Sequence, residues 1–147
     1  GLSVQRRSQW GDAPPPGAAQ ADVWLGDSMG EMPLYYAFAD VALLGGSFAP
    51  LGGQNLIEAA ACGCPLVMGP HTFNFDQAAR LSLAAGASQR VADLREGVAC
   101  AVALSTDPNR NDWVQRAFKF AAAHRGAASR MAADILSLRN SPPRPRA

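Results

Sequence analysis

The sequence predicts a parallel α/β fold, a sheet of short buried strands flanked by helices, and three observations predict it. Short apolar runs at Val41–Leu44 and Pro65–Met68, with a third at Val23–Leu25 that is too short to classify by periodicity alone, alternate with stretches of helical character, the order in which crossover helices join parallel strands. Val41 to Leu44 is apolar at every position instead of alternating, as expected for a strand covered on both faces. The stretch from Val41 to Pro70 reads as one complete unit: a strand, a loop with two Gly-Gly pairs, a short Ala-rich helix, and a second strand entered through a proline. Units of this kind hold ligands in the loops at the carboxyl ends of their strands.

Leu2 to Gln5 is the first strand candidate, followed by Arg6, Arg7 and Ser8. Consecutive prolines at 14 to 16, with Gly11 and Gly17 around them, make Trp10 to Gln20 a loop. After Val23–Leu25, Gly26 and Asp27 end the run. Ser28 and Glu31 are spaced as a capping box and Pro33 falls where its missing N–H costs little, so a helix is predicted from about Gly30 to Phe38. Leu34, Tyr35, Phe38 and Ala39 form its apolar face.

In the central unit Asn55 and Glu58 repeat the capping-box spacing, which predicts a helix from about Asn55 to Cys62 with Gly63 as the left-handed residue that ends it. Gly52 and Gly53 let the backbone approach a ligand closely, and unpaired first-turn N–H groups backed by a helix dipole form an anion site, phosphate being the usual guest. Glu58 then either serves the cap or accepts from sugar hydroxyls beside the phosphate. The alternative is an ordinary β-α turn in which the glycines only solve geometry.

Gly69, Pro70, His71 and Thr72 form the next carboxyl-end loop, and Asn74 or Thr72 is the expected cap of a helix carrying Ala78, Ala79, Leu81 and Leu83. Gln89 to Val91 is the last strand. Asp93 opens a helix through Leu94, Val98, Val102 and Leu104, which Asp107 and Pro108 break. Asn109 or Asn111 starts another, with Trp113, Val114, Ala117, Phe118 and Ala121 as its inward stripe. A final helix carries Met131, Ile135 and Leu138. The organisation predicted is a single domain over 1–140 and a disordered tail, rich in proline, over 141–147.

Composition excludes several classes. A chain of 147 residues with 48% hydrophobic content is long enough for one real core and is not a disordered segment. Thirteen basic against 12 acidic residues leave +1, which gives no argument for a nucleic-acid partner. Cys62, Cys64 and Cys100 are an odd set, His71 and His124 are far apart in sequence, and no second ligand pair follows, so the cysteines are expected to be buried small hydrophobes in a reducing compartment and no metal is predicted. No apolar run reaches the ~18 residues that a membrane-spanning helix requires. The chain begins at Gly1 immediately before a strand signal, which leads us to expect a piece of a longer protein, truncated at its amino terminus.

The motifs taken together carry more than each alone. Gly26-Asp27-Ser28-Met29-Gly30-Glu31, Tyr35-Tyr36-Ala37-Phe38-Ala39-Asp40, Gly45-Gly46-Ser47, Gly52-Gly53-Gln54-Asn55-Leu56-Ile57-Glu58 and Gly69-Pro70-His71-Thr72-Phe73-Asn74-Phe75 follow one another in the order found in 3-deoxy-D-manno-octulosonic acid (Kdo) transferases. The chain resembles the carboxyl-terminal half of that family from Arg6-Arg7-Ser8 to His124-Arg125-Gly126-Ala127. The resemblance implies a GT-B glycosyltransferase in which two Rossmann-like domains face each other across a cleft, this one being a Rossmann-like parallel sheet flanked by helices that holds the nucleotide-sugar donor, CMP-Kdo. It implies an inverting transfer of Kdo to the lipid A precursor in lipopolysaccharide biosynthesis, at the cytoplasmic face of the bacterial inner membrane and with no cofactor. It also implies that the acceptor-binding half, its carboxylate base and the membrane contact lie upstream of Gly1, so that the fragment alone is inactive.

Residue roles follow from the same resemblance. Gly52, Gly53 and Asn55 match the phosphate-side helix start, Glu58 the acid near the ribose, and Ser47 a strand-end loop near the donor. Met29, Gly30 and Glu31 match the loop that helps enclose the nucleotide, Arg6 a basic residue reaching toward the cleft, and His71 a position at the cleft rim. One departure is Gln54, where many members carry His; either side chain can donate a hydrogen bond. The residues by themselves leave two other readings open. One is another GT-B transferase or an epimerase using a UDP- or GDP-sugar, which employs the same β-loop-helix; the other is a non-enzymatic α/β module.

Overall fold

The computed structural model of the chain describes residues 1–124 and Leu136. Among the described residues five strands and five helices follow in the order β1 (Val4–Arg6), β2 (Val23–Leu25), α1 (Met32–Phe38), β3 (Ala42–Leu44), α2 (Leu56–Ala61), β4 (Leu66–Met68), α3 (Asp76–Ala84), β5 (Ser88–Arg90), α4 (Leu94–Ser105) and α5 (Arg110–His124). Every pairing is parallel. The strands fall into two sheets, β1-β2 and β3-β4-β5, where the sequence predicts one. Between α1 and β3 the chain is tied to α5. Arg110 donates through Nε to the Asp40 carbonyl at 3.1 Å and through Nη2 to the Ala39 carbonyl at 3.4 Å, while its guanidinium pairs with the Asp40 carboxylate at 3.3 Å.

β4 is the centre of the larger sheet and is buried at all three positions. Its alternation divides the core, because successive side chains of a strand point to opposite faces. Leu66 and Met68 meet Leu56, Ala59 and Ala60 of α2, Ala79 of α3 and Ala117, Phe120 and Ala121 of α5. Val67, on the other face, meets Val91 and Leu104, with Leu43 and Trp113 packed alongside. Burying a side chain such as Leu66 or Met68 completely stabilises the fold by about 1.5–3 kcal/mol. Alanines at the α2 and α5 contacts let those helices approach closely. Both α2 and α3 end as left-handed caps: Gly63 (φ +72°) and Gly86 (φ +63°) are followed by N–H groups of Cys64 and Ala87 that reach back to the carbonyls of Ala59 and Ser82 at 3.1 and 2.9 Å.

The β1-β2 pair is held by polar contacts. Its residues lie open to solvent, with Val4, Trp24 and Leu25 between 40% and 52% exposed. Asp22 accepts from the Ser3 N–H and hydroxyl, both at 2.8 Å, and Asp27 accepts from the Ser8 N–H and hydroxyl, both at 2.8 Å. Each staple spans 19 residues, the offset at which Val4 pairs with Val23. These bonds favour the ionised carboxylates: the Ser3 and Ser8 N–H groups foremost, then their hydroxyls, hold Asp22 and Asp27 below the ordinary value of 3.8. A depressed folded pKa gives stability that is present above the unfolded value and lost as pH falls through the folded one. Amide exchange at Val4–Arg6 and Val23–Leu25 is therefore expected to accelerate as pH drops below 3.8, ahead of β3-β4-β5; protection that is flat with acid would remove this role from the two aspartates.

Several expectations are corrected. Ser28 does not cap α1. The N-cap is Glu31, without a side-chain cap bond, because its carboxylate is turned toward Arg7, at 2.8 Å, and the Ser28 hydroxyl donates to it. The inward residue of α1 is Tyr36, beside Glu58, Cys62 and Cys64, and Leu34 and Phe38 are 51% and 81% exposed. Neither Asn74 nor Thr72 caps α3, since a 3-10 turn over Phe73–Phe75 intervenes and Phe75 is the N-cap. Asp93 does cap α4, accepting from the Glu96 N–H at 2.8 Å, and the Glu96 carboxylate accepts from the Ala92 N–H at 2.8 Å. The three cysteines are free thiols; Cys64 is buried, and burial pushes it up to about 11, whereas Cys62 and Cys100 are half-buried. The helix expected around Met131, Ile135 and Leu138, the boundary at residue 140 and the 141–147 tail lie outside the described residues. Among the described residues no helix is long and apolar enough to cross a membrane, and no His/Cys/Asp/Glu cluster is arranged to hold a metal.

Candidate functional site

Three loops meet at the carboxyl edge of the larger sheet, and hydrogen bonds lace them together. β3 passes into a 3-10 turn at Gly45–Ser47 that turns the Ser47 side chain inward, to 0% exposure. Its hydroxyl donates to the Leu44 carbonyl at 2.6 Å and accepts from the Gly69 N–H at 2.7 Å, and the Ser47 carbonyl accepts from the His71 N–H at 3.0 Å. Gly69 has to be glycine here, because a Cβ would lie 2.5 Å from the Ser47 carbonyl oxygen. The loop after β4 is thereby fixed against the loop after β3.

The glycine loop lies over both. Gly53 donates to the Gly46 carbonyl at 3.3 Å, the Gly52 carbonyl accepts from the Asn74 N–H at 3.1 Å, and the Asn74 amide donates to the Leu51 carbonyl at 3.4 Å. Both glycines are left-handed, at φ +90° and +87°, and a Cβ on Gly52 would collide with Asn74. Asn74, expected as a cap, is thus a tie for the glycine loop. Gln54 is exposed and its Oε1 accepts from the Gly46 N–H at 3.3 Å, which makes it an acceptor in this state.

Asn55 is the N-cap of α2, as the sequence predicts, accepting from the Ile57 N–H at 3.2 Å. The reciprocal half of the capping box is missing: among the described residues no hydrogen bond or ion pair engages Glu58, which is half-buried near Tyr36. With the cap function unused, its carboxylate is left as a spare acceptor one turn into the helix. Burial first, and then the charge of Glu58, push the Tyr36 hydroxyl above its usual range.

The remaining candidates gather elsewhere. Arg6 pairs loosely with Asp27 at 3.7 Å, and Glu31 with Arg7, so the loop from Gly26 to Glu31 is bonded to the segment after β1. Met29 is 97% exposed and Gly30 sits at φ +82° in the open. The first turn of α1 abuts the far end of α2, where the Cys62 thiol lies 3.5 Å from the Pro33 carbonyl. The structure therefore brings Ser47, Gly52, Gly53, Gln54, Asn55, Glu58 and His71 into one region, and Arg6, Met29, Gly30 and Glu31 into a second one. Sequence reasoning missed two residues of the first region. Arg90, the last residue of β5, donates from Nη2 to the Thr72 hydroxyl at 2.7 Å, and Thr72 is 5% exposed beneath Gly53. The available signal was a lone arginine at the carboxyl end of a strand whose sequel begins a capped helix.

Parallel strands in an α/β layer, with a glycine loop opening a capped helix at their carboxyl ends, define a Rossmann-like domain of the kind that forms the carboxyl-terminal half of a GT-B glycosyltransferase. No protein-family model matches the chain. It is 52% identical over 131 residues to the 3-deoxy-D-manno-octulosonic acid transferase of Bordetella pertussis, an overlap of 88% of this chain and 30% of that one. It is 48% identical over 59 residues, 40% of this chain and 14% of the relative, to the corresponding transferase of Haemophilus influenzae. Among solved structures it matches the C-terminal CMP-Kdo binding domain of WaaA from Acinetobacter baumannii with a TM-score of 0.72 at 32% identity, covering 81% of this chain and 61% of that one. The chain belongs to the Kdo transferase family and corresponds to its carboxyl-terminal domain. It spans less than a third of the Bordetella relative.

Proposed function

We propose that this chain is the donor-binding half of an inverting transferase that moves Kdo from CMP-Kdo onto the lipid A precursor in lipopolysaccharide biosynthesis. The observation that carries this reading is the likeness, at 32% identity over 81% of the chain, to a solved CMP-Kdo binding domain. The acceptor and the cytoplasmic face of the inner membrane are met through the other half of the enzyme. CMP leaves as a phosphate monoester, and the charge that grows on it is met by N–H groups of the glycine loop and the start of α2, already fixed by the Asn55 cap. Glu58, with no protein partner among the described residues, accepts from the ribose. Gly52, Gly53, Gln54 and the Ser47 loop form the wall behind the phosphate, His71 stands at the rim, and Arg6, Met29, Gly30 and Glu31 enclose the nucleotide once the other half is present.

Of the three acids near the crevice, Asp27 is held below its ordinary value by Ser8 first and by Arg6 last, Glu31 is occupied by Arg7 and Ser28, and Glu58 is given to the ribose, so the base is assigned to the other half of the enzyme. No transfer is expected from the chain alone.

An amide-shift titration with CMP, UMP and inorganic phosphate tests the reading. Shifts should saturate, centre on residues 45–47 and 52–58, and be larger for CMP than for UMP. With one wall of the cleft present, CMP affinity should be near millimolar, about 4 kcal/mol. Glu58→Gln should weaken CMP more than phosphate, because it removes a ribose acceptor and leaves the helix start intact. Shifts elsewhere, or none at ~10 mM CMP, would overturn the assignment.

A further inference from the structure

We propose that Arg90 is the residue that meets an anionic group of the bound donor, and that Thr72 is the tether that aims it; the proposal rests on the donor-binding reading above. Arginines in the described part of the chain are mostly neutralised. Arg6 pairs with Asp27, Arg7 with Glu31, Arg80 with Asp76 and Arg110 with Asp40. Arg116 is spent on packing, its Nε on the Gly86 carbonyl at 2.9 Å and its guanidinium 4.5 Å above the Trp113 ring. Arg90 makes its one bond to a neutral hydroxyl, and among the described residues no carboxylate pairs with it. Arg95, exposed in the first turn of α4, has no carboxylate partner among the described residues either, and what separates Arg90 from it is a place at the carboxyl edge of the larger sheet.

Its location makes that spare charge useful. Arg90 ends β5, in register with Met68 at the end of β4, so it stands at the carboxyl edge from which the laced loops rise. The Thr72 hydroxyl that accepts from it belongs to a residue whose Cα would lie 3.3 Å from a Cβ on Gly53. One guanidinium nitrogen is thus anchored directly beneath the glycine loop. A guanidinium has five N–H donors in a planar fork that suits phosphate and carboxylate equally, so donors are left over for a ligand. CMP-Kdo offers both kinds of anion, a phosphodiester and a sugar carboxylate.

The test titrates the chain and its Arg90→Gln, Arg90→Lys and Thr72→Val variants with cytidine, CMP and CMP-Kdo, following amide shifts. Arg90→Gln should raise the dissociation constant for the anionic ligands about tenfold, the loss of one charge-assisted hydrogen bond, and leave cytidine unchanged. Arg90→Lys should recover part of the loss, and Thr72→Val should show the same ranking more weakly. A loss already seen with CMP assigns the phosphate, and a loss confined to CMP-Kdo assigns the carboxylate; either supports the proposal. Cytidine weakened as much as the anions would mean that Arg90 only props the loop, and unchanged affinity for all three would mean that it does nothing; both overturn it. If the parent chain binds none of them, the donor-binding reading itself falls, whereas a parent that binds beside an indifferent Arg90→Gln variant removes this inference alone.

Discussion

Gly69→Ala is expected to lower stability by about 3 kcal/mol and to abolish the CMP-dependent amide shifts. The added Cβ would sit 2.5 Å from the Ser47 carbonyl oxygen, 2.8 Å from the Phe48 ring and 3.0 Å from the Ser47 carbonyl carbon. Two of these are main-chain atoms, which cannot rotate aside as a side chain can. Relief therefore requires the loops after β3 and β4 to separate, and that separation breaks the bonds from Gly69 to the Ser47 hydroxyl at 2.7 Å and from His71 to the Ser47 carbonyl at 3.0 Å. Overpacking of this kind costs about 1–3 kcal/mol, and each buried bond adds about 1 kcal/mol. Urea unfolding followed by circular dichroism gives the stability. A variant as stable as the parent would show that the two loops are not held by this contact.

Gly63→Ala is the matched control, with a different outcome for binding. Its Cβ would meet the Phe118 ring at 2.5 Å and Val114 at 3.1 Å, from a backbone held at φ +72°. The left-handed conformation costs an alanine about 1–2 kcal/mol. Part of the clash can be relieved, because Phe118 is 43% exposed and its ring is free to swing outward. A loss of about 2 kcal/mol is expected, confined to the contact between α2 and α5. Since that contact lies at the opposite end of α2 from Asn55, the CMP shifts should persist wherever the variant is folded. Loss of binding in folded Gly63→Ala would mean that the carboxyl end of α2 governs the site and not its start.

How legible these features were depended on whether the partner was local. Asn55 could be read as a cap and Gly63 as a left-handed terminator because each acts within a few residues of its own helix. Val23–Leu25 could be bounded by Gly26 and Asp27 but was too short to classify from its own pattern, and pairing with β1 is what makes it a strand. Ser28 and Glu31 matched a local template but answered to Arg7, a partner brought in by the β1-β2 pairing. Asn74 looked like a cap until the glycine loop took both its backbone and its amide. The inward turn of Ser47 and the reach of Arg90 to Thr72 depend on which loops are neighbours, and no period or spacing encodes that. The division into two sheets was equally hidden, since β2 and β3 carry the same kind of short apolar run although they join different sheets.

The aspartate–serine staples have an evolutionary consequence. In most strand pairs the connecting loop helps to set the register, so a residue gained or lost there threatens to slip one strand past the other. Here two clamps flank the ladder, Ser3 on Asp22 next to its first pair and Ser8 on Asp27 two residues past its last, and both hold the same 19-residue offset as the strands themselves. Doubling the length of a flexible connection costs only about 0.6 kcal/mol in closure entropy. The exposed residues Gly11 to Pro14 of the connection are consequently free to change in length and composition, whereas Trp10, packed on the Trp24 ring, and the buried Ala18, whose carbonyl accepts from the Trp24 Nε1–H at 2.7 Å, are tied to β2 and are not.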